Sequence, residues 1–490
     1  MKKIVSFLAF LSLLSLMSSG LLWLIAAAYD LSTLAFYATH LIWVSNLLYA
    51  FVKIKNRFIF LTLNLTYFLF YIGRITFSYI FDHNFSLNYS DDIVMKVFNI
   101  LFIGLFSIRI FAVYFEKVKI AKIRESNIFW RNNSNININL LNKIVLTLFW
   151  LSFPCSLAVI VERVIFVQSS GYANYYTSFT TSLPEIVIKL DGINVICFFL
   201  FLATNPSKKK FKLPALAYIL LGILSLGYGQ RNPLALSFCM LFLIYIPLRE
   251  KFRSVNEERW ITKKYKVFCT ITLPILILVF SFWKYYRLGL ESSNSIGNLI
   301  MDFFNTEGNS SFIIGETIKS LDFFPKERIY TIGPIVDFFT NNFIYKALFG
   351  EGAYYAGFTV DAATKGWNFG KTISYLYNSR QYLAGVGTGS CYLAEVYKDF
   401  GYIGIPLITL VYMAIINYVQ KSYKKNWVLS AVALLSINKI IYAPRDAALS
   451  FVGEFFSFTF IICIIIIIFL YLYINNRKEP NHEFEPPIKQ

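Results

Sequence analysis

Apolar runs of membrane-crossing length follow one another along most of the chain, separated by short polar links. A helix needs ~20 such residues to cross the hydrocarbon core of a bilayer. On that length the runs predict spans at 4–28, 31–52, 58–80, 93–115, 144–167, 187–204, 213–229, 232–248, 267–286, 393–419, 427–443 and 447–474. Residues 287–392 break the rhythm, being far longer than the ~12–15 residues expected of a structureless connection. Stretches within it, such as 299–304 and 312–318, have mixed helical patterning and predict short amphipathic helices at the membrane surface rather than a sheet domain.

The links alternate in charge. Those after even-numbered spans are basic, with Lys53, Lys55 and Arg57, six cations in 117–143, the run KKKFK at 208–212, seven cations in 249–266, Lys421, Lys424 and Lys425, and finally Arg477 and Lys478. The links at 29–30, 82–92 and 168–185 contain neither Lys nor Arg. Because cations concentrate on cytoplasmic links, both termini are expected to be cytoplasmic, and residues 287–392 then face outward with the links at 227–233 and 442–446. The N-terminus resembles a signal peptide, but its apolar character continues to Ala28, which predicts an uncleaved first helix. The expected plan is thus an all-α polytopic membrane protein of about twelve transmembrane helices. Residues 1–286 hold spans one to nine, 287–392 one large outer loop with short helices, 393–474 spans ten to twelve, and 475–490 a polar cytoplasmic tail.

Composition agrees with the pattern. Hydrophobic residues make up 57% of the chain and charged residues 15%, against ~25% charged in soluble proteins, which excludes soluble multidomain, disordered and collagenous chains. The net charge of +18 would suggest nucleic acid in a soluble chain. Here the expected inner links carry more than the whole excess, so the charge reports topology and no nucleic-acid partner is expected. Six cysteines without a CxxC pair and three scattered histidines without HExxH argue against a disulfide framework, a metal site or a cofactor.

Arginine at or inside a span is costly, ~2.5–3.5 kcal/mol at the helix centre, and is retained mostly where it pairs or lines a cavity. Arg231 lies in the link GYGQRNP at 227–233, where one helix end and the next helix start expose backbone groups beside the guanidinium. Arg445 follows Pro444, sits beside Asp446 and has Glu454 two turns on. Arg163, next to Glu162, lies near the outer end of span five, and Arg287 lies just past span nine. Snorkelling toward lipid phosphates is the simpler reading of each. If instead they converge, they form a metal-free clamp for pyrophosphate, since a guanidinium grips phosphate in a bidentate manner. Arg74 and Arg109 are expected to be structural. Glu307, Asp337 and Glu395 are candidates for a general base or for orienting an acceptor hydroxyl; Glu316 and Asp361 are weaker ones. Lys189 and Asp191 suggest an internal ion pair, and GVGTGS at 385–390 a glycine-rich turn more than an anion cradle. Tyr354, Tyr355 and Trp367 are plausible sugar contacts, although the outer loop is no richer in aromatic residues than the whole chain.

The layout resembles the Wzy-type polymerases of O-antigen and related polysaccharide repeat units, and is similar in plan to the enterobacterial common antigen polymerase. The resemblance rests on the GYGQRNP break followed by an apolar span, on the large penultimate outer loop, on the stretch GSCYLAEVYKDFGYIG at 389–404, and on Arg445 and Asp446 before the last span. It covers roughly residues 171–470. It implies glycosyl transfer at the outer leaflet between polyprenyl-pyrophosphate-linked oligosaccharides, donor and acceptor. The setting would be a bacterial inner membrane with the active face periplasmic, and a chain-length regulator is a further candidate partner. Within it Arg231 and Arg445, supported by Arg163 and Arg287, are expected to bind the donor pyrophosphate, with Glu307, Asp337 or Glu395 acting on the acceptor. A flippase for lipid-linked oligosaccharide and an O-antigen ligase are the alternatives. The flippase is disfavoured by the lack of matching halves.

Overall fold

A computed structural model describes residues 2–118, 137–288, 295–340, 343–350, 355, 357–424 and 426–476. Most of the fourth span's basic exit, Lys425, Arg477 and Lys478, Tyr354 and the tail from 477 therefore lie outside the described residues. Among the described residues every regular element is helical, and eleven helices are long and apolar enough to cross a membrane. They match the predicted spans one to ten and twelve. The predicted eleventh is Trp427–Ile440, fourteen residues long. At 1.5 Å per residue it reaches only ~21 Å, less than a ~30 Å hydrocarbon core.

The break after that helix corrects the predicted start of span twelve. Residues 443–457 form a 3-10 turn, Ala443–Arg445, and a short helix, Ser450–Phe455, before the spanning helix begins at Phe458. Pro444 starts the turn, because its fixed φ suits a first helical position, and Asp446 leaves it with extended backbone at φ −140°. Non-helical backbone at such a place is tolerated where protein surrounds it or a cavity is lined by it.

Packing follows exposure of the apolar faces. Spans one, nine and twelve keep most of their apolar surface outward, as helices facing lipid would, whereas spans three, four, six and eight are mostly buried in the bundle. Span one runs along span two, span four against span ten, and span five against span six. Spans seven and eight form a tight hairpin in which Gly222 meets the backbone of Leu234 so closely that a Cβ would lie 2.9 Å from its Cα. Spans three and eight each contain a π-helical stretch, Phe68–Ile72 and Cys239–Tyr245. These wide turns recur at functional sites, and here both flank one apolar cavity.

The large loop is helical, as its patterning predicted. Ile296–Glu307 and Asn309–Lys319 are its two longest described helices, meeting at Gly308. No Cβ fits at Gly308, since it would lie 2.4 Å from Cβ of Arg74. The loop is thereby pinned to span three. Arg74 also donates to the carbonyl and hydroxyl oxygens of Ser86 at 3.3 Å and to Asn309 Oδ1 at 3.4 Å. This is the structural role expected of it.

Candidate functional site

Arg231 owes its position to the way span seven stops. The helix Lys208–Tyr228 ends in a 3-10 turn and Gly229 adopts φ +89°, a left-handed conformation that costs glycine little. The N–H of Gly229 reaches the carbonyl of Leu226 at 2.8 Å, and that of Gln230 reaches Ser225 at 3.1 Å, the paired bonds of a Schellman motif. Span eight starts at once with Asn232 and Pro233. Arg231 is held between the two helix ends, where one guanidinium N–H donates to the carbonyl of Phe280 on span nine at 2.9 Å.

Its other contact is with the large loop. Nη2 of Arg231 lies 2.6 Å from Oε1 of Glu307, the last residue of helix Ile296–Glu307. The second carboxylate oxygen of the same residue receives Nη1 of Arg445 at 2.5 Å, and this nitrogen also lies 3.3 Å from the Glu307 carbonyl. Three residues from three links, more than a hundred positions apart at the extremes, thus share one largely buried ion triad, of which Arg445 is the most exposed member. Burial alone would lower the basicity of Arg445, but the Glu307 carboxylate outweighs it and holds the guanidinium above its ordinary pKa. Beside the triad, Asn232 donates to the hydroxyl of Tyr442 at 2.5 Å, and the Tyr442 ring meets Phe70 edge-on.

Two members of the triad, Arg231 and Glu307, line the apolar cavity noted above, of about 230 Å³. Thr62, Leu65, Phe68, Phe238, Leu276 and Phe304 contribute to its walls, while Arg231, Asn232, Glu307 and Tyr442 supply its polar groups. Spans three, eight and nine and the large loop enclose it.

The Arg445 turn is clamped from span ten. Ala448 N–H donates to Glu395 Oε1 at 3.0 Å, and the Ala448 carbonyl accepts from the Tyr412 hydroxyl at 2.6 Å. Glu395 is fully buried and touches the turn, not the arginines. Asp446, the sequence neighbour of Arg445, instead caps Ala447 N–H at 2.8 Å; burial raises its pKa, opposed by Lys439. Glu454 pairs with Lys439 at 2.7 Å rather than with Arg445.

The remaining sequence candidates lie elsewhere. Arg163 stands 5.6 Å from the centroid of the Tyr228 ring, beside the link that carries Arg231, while Glu162 takes three hydrogen bonds from Thr181 and Ser182. Arg287 is in the last turn of helix Lys263–Leu288, and its side chain lies outside the described residues. Asp337 is half-buried in helix Gly333–Thr340, with Lys371 as the opposing charge. Lys189 pairs with Glu185 at 3.6 Å, which corrects the expected pairing with Asp191. In the glycine-rich turn, Thr388 N–H is taken by Ser374 Oγ at 2.9 Å and its carbonyl by Asn309 at 3.0 Å. Sequence reasoning missed Asn232, Tyr442 and Asn309. Only the polar neighbours of Arg231 and Arg445 in the chain hinted at the first two.

A family model for the O-antigen polysaccharide polymerase Wzy matches residues 4–478. The chain belongs to that family. It is accordingly a multi-pass membrane enzyme, a glycosyltransferase-type polymerase acting on lipid-linked repeat units. No curated protein and no solved structure matches the chain. The Wzy match spans the links of Arg231 and Arg445 and the helix of Glu307 alike, so all three members of the triad belong to the family region.

Proposed function

We propose that Arg231 and Arg445 bind the pyrophosphate of a polyprenyl-linked donor at the outer leaflet, with the apolar cavity holding the first isoprene units. The growing chain then passes to a hydroxyl of the incoming repeat unit. The observation that carries this reading is the convergence of two arginines, from links far apart in sequence, on one carboxylate that lines an apolar cavity. Pyrophosphate is a good leaving group, so catalysis needs fixed positive charge where negative charge develops and a well-placed acceptor. Guanidinium groups supply the charge in the bidentate geometry that phosphate prefers.

Arg163 supports the Arg231 link through Tyr228, and Arg287 is a further candidate contact for phosphate. Glu395 positions the Arg445 turn. The charge pattern favours the outer face for this site, and membership of the Wzy family favours a bacterial inner membrane, whose outer face is periplasmic. Replacing Arg231 by Ala in cells whose own copy is deleted tests the reading. Surface glycan resolved by size should show single repeat units in place of a ladder, with the protein still in the membrane. A normal ladder overturns the assignment. Polymer stranded on carrier lipid would point to a ligase, and repeat units trapped inside to a flippase.

A further inference from the structure

Glu307 occupies the place that the donor phosphate must take. Each of its carboxylate oxygens is engaged by a guanidinium, Oε1 by Arg231 at 2.6 Å and Oε2 by Arg445 at 2.5 Å. We infer that Glu307 is an internal stand-in for the pyrophosphate, and that displacement by the donor frees it to act as the general base of glycosyl transfer. The inference rests on the pyrophosphate role of Arg231 and Arg445 proposed above.

Three observations support it. One carboxylate between two guanidinium groups leaves an excess positive charge, whereas a pyrophosphate diester carries two negative charges and satisfies both arginines. Arg231 has a contact independent of Glu307, the carbonyl of Phe280, and Arg445 stands 5.8 Å from the centroid of the Phe70 ring on a turn that Glu395 and Tyr412 hold through Ala448. Glu307 also borders the apolar cavity, so a donor headgroup arriving there meets it first. Glu307 is the terminal residue of its helix, so its turning away need not unwind the helix.

Displacement couples binding to chemistry. Before the donor binds, both Glu307 oxygens are held by N–H donors and neither is available to an incoming hydroxyl. Afterwards the freed carboxylate takes the acceptor hydroxyl proton as that oxygen forms its bond to the anomeric carbon. The bond from this carbon to the pyrophosphate breaks, and the leaving lipid pyrophosphate keeps the electron pair beside Arg231 and Arg445. Glu307 then passes its proton to water and returns to the arginines as the product lipid departs.

The test uses the full-length protein in lipid nanodiscs, with undecaprenyl pyrophosphate as the binding probe and lipid-linked repeat units for turnover. E307Q should bind the probe at least ~3-fold tighter, because an internal competitor is weakened. Chain extension should fall ~10²-fold or more with the base removed. Wild-type turnover should decline on acidification, while the residual E307Q rate stays flat. Unchanged or weaker probe binding by E307Q overturns the stand-in, and extension at the wild-type rate overturns the base. If E307Q does not fold, E307D serves: its carboxylate is too short to bridge both arginines, so tighter binding with pH-dependent turnover is expected, and wild-type affinity overturns the inference. Wild-type affinity in both R231A and R445A would instead remove the pyrophosphate reading itself.

Discussion

Glu116 and Glu307 are each shared by two cations, at opposite ends of the helix bundle. Glu116, near the basic links, receives Lys53 at 2.7 Å and Arg57 at 2.5 Å, and the Tyr49 hydroxyl donates to it at 2.7 Å. Around it the cations also satisfy helix ends: Arg57 donates to the Tyr49 carbonyl, and Lys421 to the carbonyls of Phe115, Glu116 and Val118. Such capping of C-terminal carbonyls is the ordinary work of basic residues at helix ends. The side chains of Lys53 and Glu116 are 54% and 34% exposed, so water screens that pair, while that of Arg57 is 10% exposed. Those of Arg231 and Glu307 are 9% exposed each and that of Arg445 is 27% exposed, and Arg231 and Glu307 line the apolar cavity. Both groups border cavities, but one beside Glu116 is lined by further cations, Lys251 and Lys421, whereas the one beside Glu307 is walled mainly by apolar side chains. A buried ion triad is a weak source of stability, because desolvation offsets the Coulomb gain. Keeping one beside an apolar cavity argues for use in binding.

The contrast is sharpest for the arginines. Arg231→Ala should cut chain extension by ~10²-fold or more, as expected when a donor to the developing charge is lost, and Arg445→Ala should do the same. On the proposal that both bind the same pyrophosphate, the double variant should lose much less than the product of the two effects, which a double-mutant cycle of extension rates measures. Full multiplicativity would separate the two residues. Glu395→Leu comes next. It leaves Ala448 N–H unsatisfied at a cost of ~1–3 kcal/mol, so thermal unfolding should shift down and extension weaken through the displaced Arg445 turn. Glu116→Gln should matter least to function. It should lower stability by up to ~1 kcal/mol and leave the glycan ladder at normal length; a shortened ladder would dissolve the comparison.

Asp337 adds a pH-dependent case, resembling neither group. Burial raises its pKa, with only Lys371 opposing, so the folded state favours its protonated form. The folded protein then binds more protons than the unfolded chain above the unfolded pKa, and this site costs stability as pH rises through that range. Asp337→Asn should consequently raise the unfolding temperature at neutral pH, with the gain fading in acid below the ordinary carboxylate range.

Much of this is legible in the chain itself. Hydrophobic length places eleven long helices. The alternation of basic and non-basic links puts Arg231, Arg445 and residues 287–392 at one end from the sequence alone, because odd-numbered spans all exit there. Local sequence also sets the breaks, through Gly229 with its left-handed backbone and Pro444 at the start of its turn. The start of span twelve is not legible, since the apolar residues of 447–457 look no different from those of a spanning helix. The partner of Arg445 is equally hidden. Asp446 beside it and Glu454 two turns on are the natural choices, yet the turn ending at extended Asp446 sends the guanidinium to Glu307 instead.

The amino-acid order alone settles whatever depends on a segment's immediate surroundings: transfer of apolar stretches into a bilayer, charge at links, and backbone conformation at glycine and proline. Which carboxylate of several meets which arginine depends on how the helices pack and on where the large loop lies. Three-dimensional packing places Glu307 at the end of its helix between Arg231 and Arg445, and sets Glu395 behind the turn. Lateral order in a helical bundle is set by side-chain fit among faces of nearly equal hydrophobicity, and that fit leaves no periodic trace in the sequence.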